Sequence, residues 1–420
     1  MSSLDSLIAQ AGEAPLSAGL NYELPQTNTS VTSRKQHIRA YPTSASSLTP
    51  GGTKTARIRL GGDDFLDTSS VRLMYTIANK SQQALKPLGG PWGTWAQVFL
   101  RSNGVEMDNQ PNYGRFAQQF LWDYLSQAEQ YAEAGLCGMH GSWASSQIRP
   151  KVGIIPAGGS YTVMHKLGLS AFLSGRYWPL RYAPLEWEGT LADAASWLTI
   201  SSSSSSDWEI QNIQILYDTF VLDESVVNSF YSALLANRTL SIPFMTAYTT
   251  VYPIPDGATS ISVASVRAFS RLAYIYCTFR KNEAKNASFI CPLAQPDDSN
   301  LDVPVLINTA GPTARLSIGG ANWPDSQPNS SICEQYYQFQ KALGVIPNID
   351  RKTFQTQPYC LAWNLQRTPG DSTSAISTRS GDLVRIDVQG MGAGVASEMH
   401  VTMFAFSVCA VRESGVSILN

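Results

Sequence analysis

Charge is the scarcest commodity in this 420-residue chain: Asp, Glu, Lys and Arg make up 15% of it, against roughly 25% in an ordinary soluble domain. A net charge of −2 excludes wholesale coating of nucleic acid, because neutralising phosphates needs a strong cationic excess. There is no CxxC pair, and Cys137, Cys277, Cys291, Cys333, Cys360 and Cys409 are scattered without a His at ligand spacing, so a structural zinc site is excluded and buried, reduced thiols are expected. HExxH, GxSxG and a phosphate-binding glycine loop are all missing, which removes the usual handles of hydrolases and nucleotide-dependent enzymes. His37, His140, His165 and His400 stand far apart. No apolar run approaches the roughly 18 residues of a membrane span, and the opening MSSLDSLIAQ lacks a basic and then apolar leader, so synthesis without a secretion signal is expected.

What is present is β-forming sequence. At 420 residues and 43% hydrophobic content the chain has material for two cores. Residues 1–36 are rich in Ser, Thr, Gln and Asn and read as an N-terminal arm with Leu4, Leu7 and Ile8 as a sticky tip. Residues 31–60 hold Arg34, Lys35, Arg39, Lys54, Arg57 and Arg59 and no acid. Arg34, Lys35 and Arg39 are candidates for a basic surface facing a polyanion or lipid headgroups, although Arg57 and Arg59 alternate with Ile58 and Leu60 as the wet face of a strand would. Period-2 patterns follow in Val71, Leu73, Tyr75 and Ile77, in Val98 and Leu100, and in Ile213, Ile215 and Tyr217. Near the midpoint the period changes to 3.6: Val227, Phe230, Tyr231 and Leu234 form a stripe behind Asp223 or Ser225, predicting a helix of about four turns. Strands then resume at residues 242–254, 271–279, 383–388 and 399–411. Long Gly/Pro/Ser/Asn loops separate them.

Two segments match. FLRSNGVEMDNQPNYGRFAQQFL (99–121) and RLSIGGANWPDSQPNSSICEQYYQFQKAL (315–343) both read strand, turn, strand, helix. Asn103-Gly104 and Gly319-Gly320 are dipeptides able to take positive φ in a hairpin turn. Asp-x-Gln-Pro-Asn comes next in each, as Asp108, Pro111 and Asn112 and, 217 residues on, as Asp325, Pro328 and Asn329. Pro ends the return strand and Asn is placed to cap the turn leading toward the helix. Phe116, Phe120, Tyr124 and Ala128 would stripe the first helix, and Tyr336, Phe339 and Leu343 the second, which stops at Gly344. So long a period indicates a duplicated domain rather than a solenoid. The divisions predicted are an arm at 1–36, a first sandwich at 37–222, a linker helix at 223–239 and a second sandwich at 240–420.

These pieces, together with the IQNIQILYDTFVLDESVVNSFYSALL strand-to-helix junction, the TLSIPFMTAYTTVYPI strand after it and the strand at 399–411, resemble the double jelly-roll major capsid proteins of the adenovirus and tectivirus lineage, of the polinton-like virus and virophage type. The resemblance implies two tandem eight-stranded jelly-roll β-sandwiches, each with a short helix after the D/E hairpin, joined by a linker helix. It implies a homotrimer forming a pseudo-hexameric capsomer that tiles an icosahedral shell in the virion, with no cofactor and no small-molecule substrate. Its partners would be neighbouring capsomers, penton and minor capsid proteins, and an internal membrane or genome met through the arm.

Other readings stay open on the residues. Glu186 and Glu188 flank Trp187 on one strand face, a geometry acid/base chemistry on a sugar could use, whereas exposed strands carry such pairs routinely. Asp63, Asp64 and Asp67, or Asp297 with Asp298, could hold calcium, but EF-hand spacing is absent. Trp92, Trp95, Trp143 and Trp178 in loop-like segments suit a glycan- or receptor-binding sandwich such as a virion spike. Asn-x-Ser/Thr occurs at Asn28, Asn79, Asn237, Asn286 and Asn329, without a leader to take them to glycosylation.

Overall fold

The computed structural model describes residues 32–140, 151–198, 204–280, 310–323, 329–366 and 375–419, less positions 88, 223, 237, 345, 348, 350–353, 355–358, 380, 394–395 and 413–414. Leu4, Leu7, Ile8, Trp143, Cys291, Asp297, Asp298, Asp325 and Pro328 lie outside the described residues.

Alternating sequence makes the first half a two-sheet sandwich. Its main strands are β1 (Thr32–Ala40), β2 (Thr55–Leu60), β3 (Arg72–Asn79), β4 (Trp95–Ser102), β5 (Val105–Pro111), β6 (Ser160–Lys166), β7 (Leu185–Leu191) and β8 (Trp208–Leu222). Leu73, Tyr75 and Ile77 on β3 and Ala56, Ile58 and Leu60 on β2 point into the core, while Arg57 and Arg59 point out, as the pleat requires. One sheet runs β6-β3-β8-β1 and the other β2-β7-β4-β5, all antiparallel. On β8 the buried Ile210 and Ile213 are three residues apart. The register shifts between Gln211 and Gln214, and Asn212 sits at φ 52°. This bulge absorbs one residue and keeps both isoleucines on the core face. Trp95 and Trp187 meet edge-on with ring centroids 5.1 Å apart. A Cβ on Gly189 would fall 2.5 Å from the Trp187 ring, so only glycine leaves room for the pair.

The second half repeats the plan with β9 (Leu240–Pro253), β10 (Ser260–Ser265), β11 (Leu272–Arg280), β12 (Ala310–Ile318), β13 (Ala321–Trp323), β14 (Leu361–Asn364), β15 (Val384–Gln389) and β16 (Glu398–Arg412). Its sheets run β14-β11-β16-β9 and β10-β15-β12-β13. Lettering the strands of each half B to I gives G-D-I-B facing C-H-E-F both times, the double Greek key of a jelly roll. The duplication inferred from sequence is thus a duplication of topology.

The matched hairpins occupy the same place in both halves. Asn103 and Gly104 have φ of 49° and 79°, and Gly319 and Gly320 have 56° and 85°, two consecutive left-handed residues as a type I′ turn demands. These hairpins join strands E and F, not D and E, so the expected letter is corrected. Pro111 ends β5, while Asn112 at φ 59° makes no side-chain cap. Asn329 has a different part, in a short strand Asn329–Ser331 paired with β12.

The helices depart further. The first is α1 (Tyr113–Gln118), which widens into a π turn at Gln119–Asp123 and stops. A second helix, α2 (Gln127–Cys137), starts at a reciprocal capping box between Ser126 and Glu129. Ala128 therefore belongs to a separate helix and is exposed, in place of the one continuous stripe that the spacing predicts. The linker helix α3 (Glu224–Leu235) buries Leu234, and Phe230 meets Phe65 at 5.7 Å, but Tyr231 is 50% exposed. The last helix, α4 (Ile332–Leu343), ends on Gly344 at φ 70° as expected.

A Cβ at Gly104 or Gly320 meets open space, but one at Gly319 would come 2.7 Å from the Asp382 carboxyl. Gly104→Ala and Gly320→Ala should each cost about 1 kcal/mol from the left-handed backbone alone, and Gly319→Ala more. Urea unfolding of the three variants measures the order; equal losses at all three would contradict the steric part.

Candidate functional site

The first sandwich is seated on the second, and this joint is where sequence-distant side chains converge. On β11 and β16, Tyr276, Thr278, His400, Thr402 and Phe404 alternate with core residues Ile275, Cys277, Val401 and Met403. In an isolated sandwich their face would be wet. Here they are all 9% exposed or less, covered by β5, α1 and the π turn and, at Tyr276, also by α4 of the same half, whose Ala342 carbonyl accepts from the Tyr276 hydroxyl at 3.0 Å.

An aromatic ladder carries the contact. Phe120 lies 4.9 Å from Phe116 and 5.4 Å from Tyr124 within its own segment. Across the joint it meets Tyr276 at 5.2 Å and Phe404 at 5.0 Å, and Tyr124 meets Phe339 at 4.6 Å. Several of these pairs are edge-on, the arrangement favoured by ring quadrupoles. The π turn keeps Phe116, Phe120 and Tyr124 in line.

Polar groups fix the register. Gln110 Nε2 donates to the Ala247 carbonyl at 2.6 Å and to Asp108 at 2.7 Å. Arg115 Nη2 donates to the Phe279 carbonyl at 3.0 Å and lies 3.4 Å from the Thr278 hydroxyl. Burial, with Arg280 nearby, pushes the Arg115 guanidinium down to about 9, so it remains charged at neutral pH. His400 is pushed down to about 2 by burial and by Arg115 and Arg280, so its neutral ring donates Nε2–H to Glu398, 3.2 Å away. Such partners are needed because a buried polar group without them costs about 1–3 kcal/mol.

The residues singled out from sequence fall elsewhere. Glu188 is 8% exposed and bound by Arg57 at 2.8 Å and Arg101 at 2.6 Å; Glu186 is half-buried on the same face of β7, opposite Arg59 and Arg101. That pair is a neutralised strand surface. The basic stretch is partly spoken for: Lys35 meets Asp218 at 2.7 Å and Lys54 meets Asp193 at 2.8 Å. Arg34 and Arg39 stay exposed on β1. Trp92, Trp95 and Trp178 are at most 1% exposed, which corrects the loop-aromatic reading: these rings are core and cannot stack on a glycan. Asp67 caps a short helical turn through Ser69 N at 3.1 Å, and Asp64 accepts from Thr219 at 3.4 Å. Among the described residues no group of three His, Cys, Asp or Glu gathers as a metal site. Cys137, Cys277, Cys360 and Cys409 are buried free thiols and Cys333 is exposed. The Asn79 amide is buried, donating to Gln83 and Pro156 carbonyls at 2.7 and 3.0 Å, so that sequon is inaccessible.

Sequence reading missed Arg115 and Gln110 as the pins of the joint. The available signal was the lack of alternation in MHVTMFAFSVCAV, since a near-continuous apolar strand is covered on both faces.

No family model matches the chain, and no curated protein does. Solved structures do match across its length. The PBCV-1 virus capsid quasi-atomic model superposes at a TM-score of 0.66, with 10% identity over 94% of this chain and 98% of that one. The Faustovirus major capsid protein gives 0.57, with 10% identity over 98% and 96%. The Sputnik virophage structure gives 0.56, with 8% identity over 95% and 91%. This chain has the double jelly-roll fold of those structures.

Phe120→Ala removes the central rung of the ladder and should destabilise the protein by about 3 kcal/mol, whereas Tyr337→Ala, at a ring 60% exposed on α4, should cost under about 1 kcal/mol. Chemical denaturation compares them, and equal losses would show that the joint contributes little.

Proposed function

We propose that the chain is a major capsid protein that trimerises into a pseudo-hexameric capsomer and tiles an icosahedral shell. The observation that carries this is the pairing of two topologically identical sandwiches, locked by a buried joint, in a fold matching viral capsid structures over nearly the full length of both partners. Three such double units supply six similar upright bodies, which is what a nearly hexagonal tile needs. Low charge density fits flanks meant to be covered by sister molecules. In this reading the divisions are an arm at 1–31, sandwiches at 32–222 and 240–420, and a linker at 223–239; the first boundary moves back from residue 37 because Thr32 to Gln36 already pair with β8. The protein acts by assembly rather than catalysis, resides in the virion, and meets neighbouring capsomers, penton and minor capsid proteins. Leu4, Leu7 and Ile8 are assigned to arm contacts, and the exposed Arg34 and Arg39 to whatever lies beneath the shell, an internal membrane or the genome.

Size-exclusion chromatography with light scattering, followed by negative-stain microscopy, tests the assignment. Ring-like particles of three times 45.7 kDa, or closed shells, are expected. A stable monomer that binds glycans would contradict it.

A further inference from the structure

An apolar cleft stands open where the two sandwiches and the linker helix meet. Phe65, Arg176, Tyr177 and Leu222 of the first sandwich, Phe230 of α3 and Ile242 of β9 wall it. It encloses about 410 Å³, within the roughly 300–1,000 Å³ of clefts that bury ligands. Tyr177 is 57% exposed at its mouth.

The position of β1 suggests what belongs there. Thr32 pairs with Leu222, so the described chain begins at the wall of this cleft, with 31 residues of sequence before it. Within them Leu20, Tyr22 and Leu24 alternate with Asn21 and Glu23, a period of two that gives an extended segment one apolar edge. Leu24 precedes Thr32 by eight residues, a reach of up to roughly 26 Å. Charge agrees, because residues 1–31 contain Asp5, Glu13 and Glu23 but no Lys or Arg. Arg176 is exposed on the cleft wall, and Arg34 is exposed on β1 opposite Val221.

We propose that residues 20–24 of the chain's own arm seat in this cleft, with Leu20, Tyr22 and Leu24 against Phe65, Tyr177 and Phe230 and with Glu23 turned to Arg176. The arm is then anchored at its proximal half, and only the part carrying Leu4, Leu7 and Ile8 extends beyond the subunit. Because the contact lies within one chain, it stands or falls independently of shell formation.

Cysteine cross-linking in the full-length protein tests it. In a Cys333→Ser background, Leu24→Cys is combined with Tyr177→Cys and oxidised mildly, in a mixture of unlabelled and ¹⁵N-labelled chains. The opposed pair His37→Cys and Asp218→Cys serves as positive control. The expected product is a disulfide between residues 24 and 177 whose peptides share one isotope label. Mixed-isotope peptides would place the arm on a neighbouring copy, and a missing cross-link beside a successful control would leave the cleft without the arm; either result overturns the proposal. In parallel, Tyr22→Asp should raise amide exchange in residues 224–235 and 240–242 about tenfold, and unchanged exchange counts against the seat.

Discussion

Burial of one sheet on both faces is the constraint from which the architecture derives. The β14-β11-β16-β9 sheet has its own sandwich core on one side and the first sandwich on the other. A sheet in that position can present few unpartnered polar groups. Its outer face answers with rings at Tyr276 and Phe404 and with hydroxyls and an imidazole that are hydrogen-bonded within the joint. The E–F hairpin of the first half, the left-handed Asn112 and the π turn are all means of delivering Phe116, Phe120 and Arg115 to that face.

The same constraint separates the two copies of the duplicated unit. In the first copy the segment after the E–F hairpin turns outward to meet the second sandwich. In the second copy the chain inserts a short strand at Asn329–Ser331 before α4 begins, and α4 packs against β14 of its own half. One repeated motif thus serves as a connector in one position and as a local cover in the other. The halves keep their strand order because the double Greek key closes each core, while their loops are free to diverge.

Local signals in the sequence are legible where the physics is local. Leu73, Tyr75 and Ile77 alternate because a pleat has period two, and Asn103-Gly104 marks a turn because few other residues tolerate two positive φ values. The Arg57 and Arg59 alternation likewise describes an outer strand face. What escapes is long-range. Phe120 meets Phe404 across 284 residues, and no periodicity announces such a partner. Trp92 and Trp178 sit in segments with loop-like composition, yet those segments fold inward and bury their indoles, so composition misleads about burial. The break at Ser126 is legible in principle from the Ser-x-x-Glu spacing, but the aromatic stripe running through it outweighs that signal.

If the joint makes one cooperative body of the two sandwiches, heat should unfold them together. Differential scanning calorimetry of the assembled protein and of the isolated chain decides this through the ratio of calorimetric to van 't Hoff enthalpy for the isolated chain. A ratio near one, in a single transition, is expected. Two separable transitions, each with about half the enthalpy, would contradict the account, because the sandwiches would then be independent beads and not one tile.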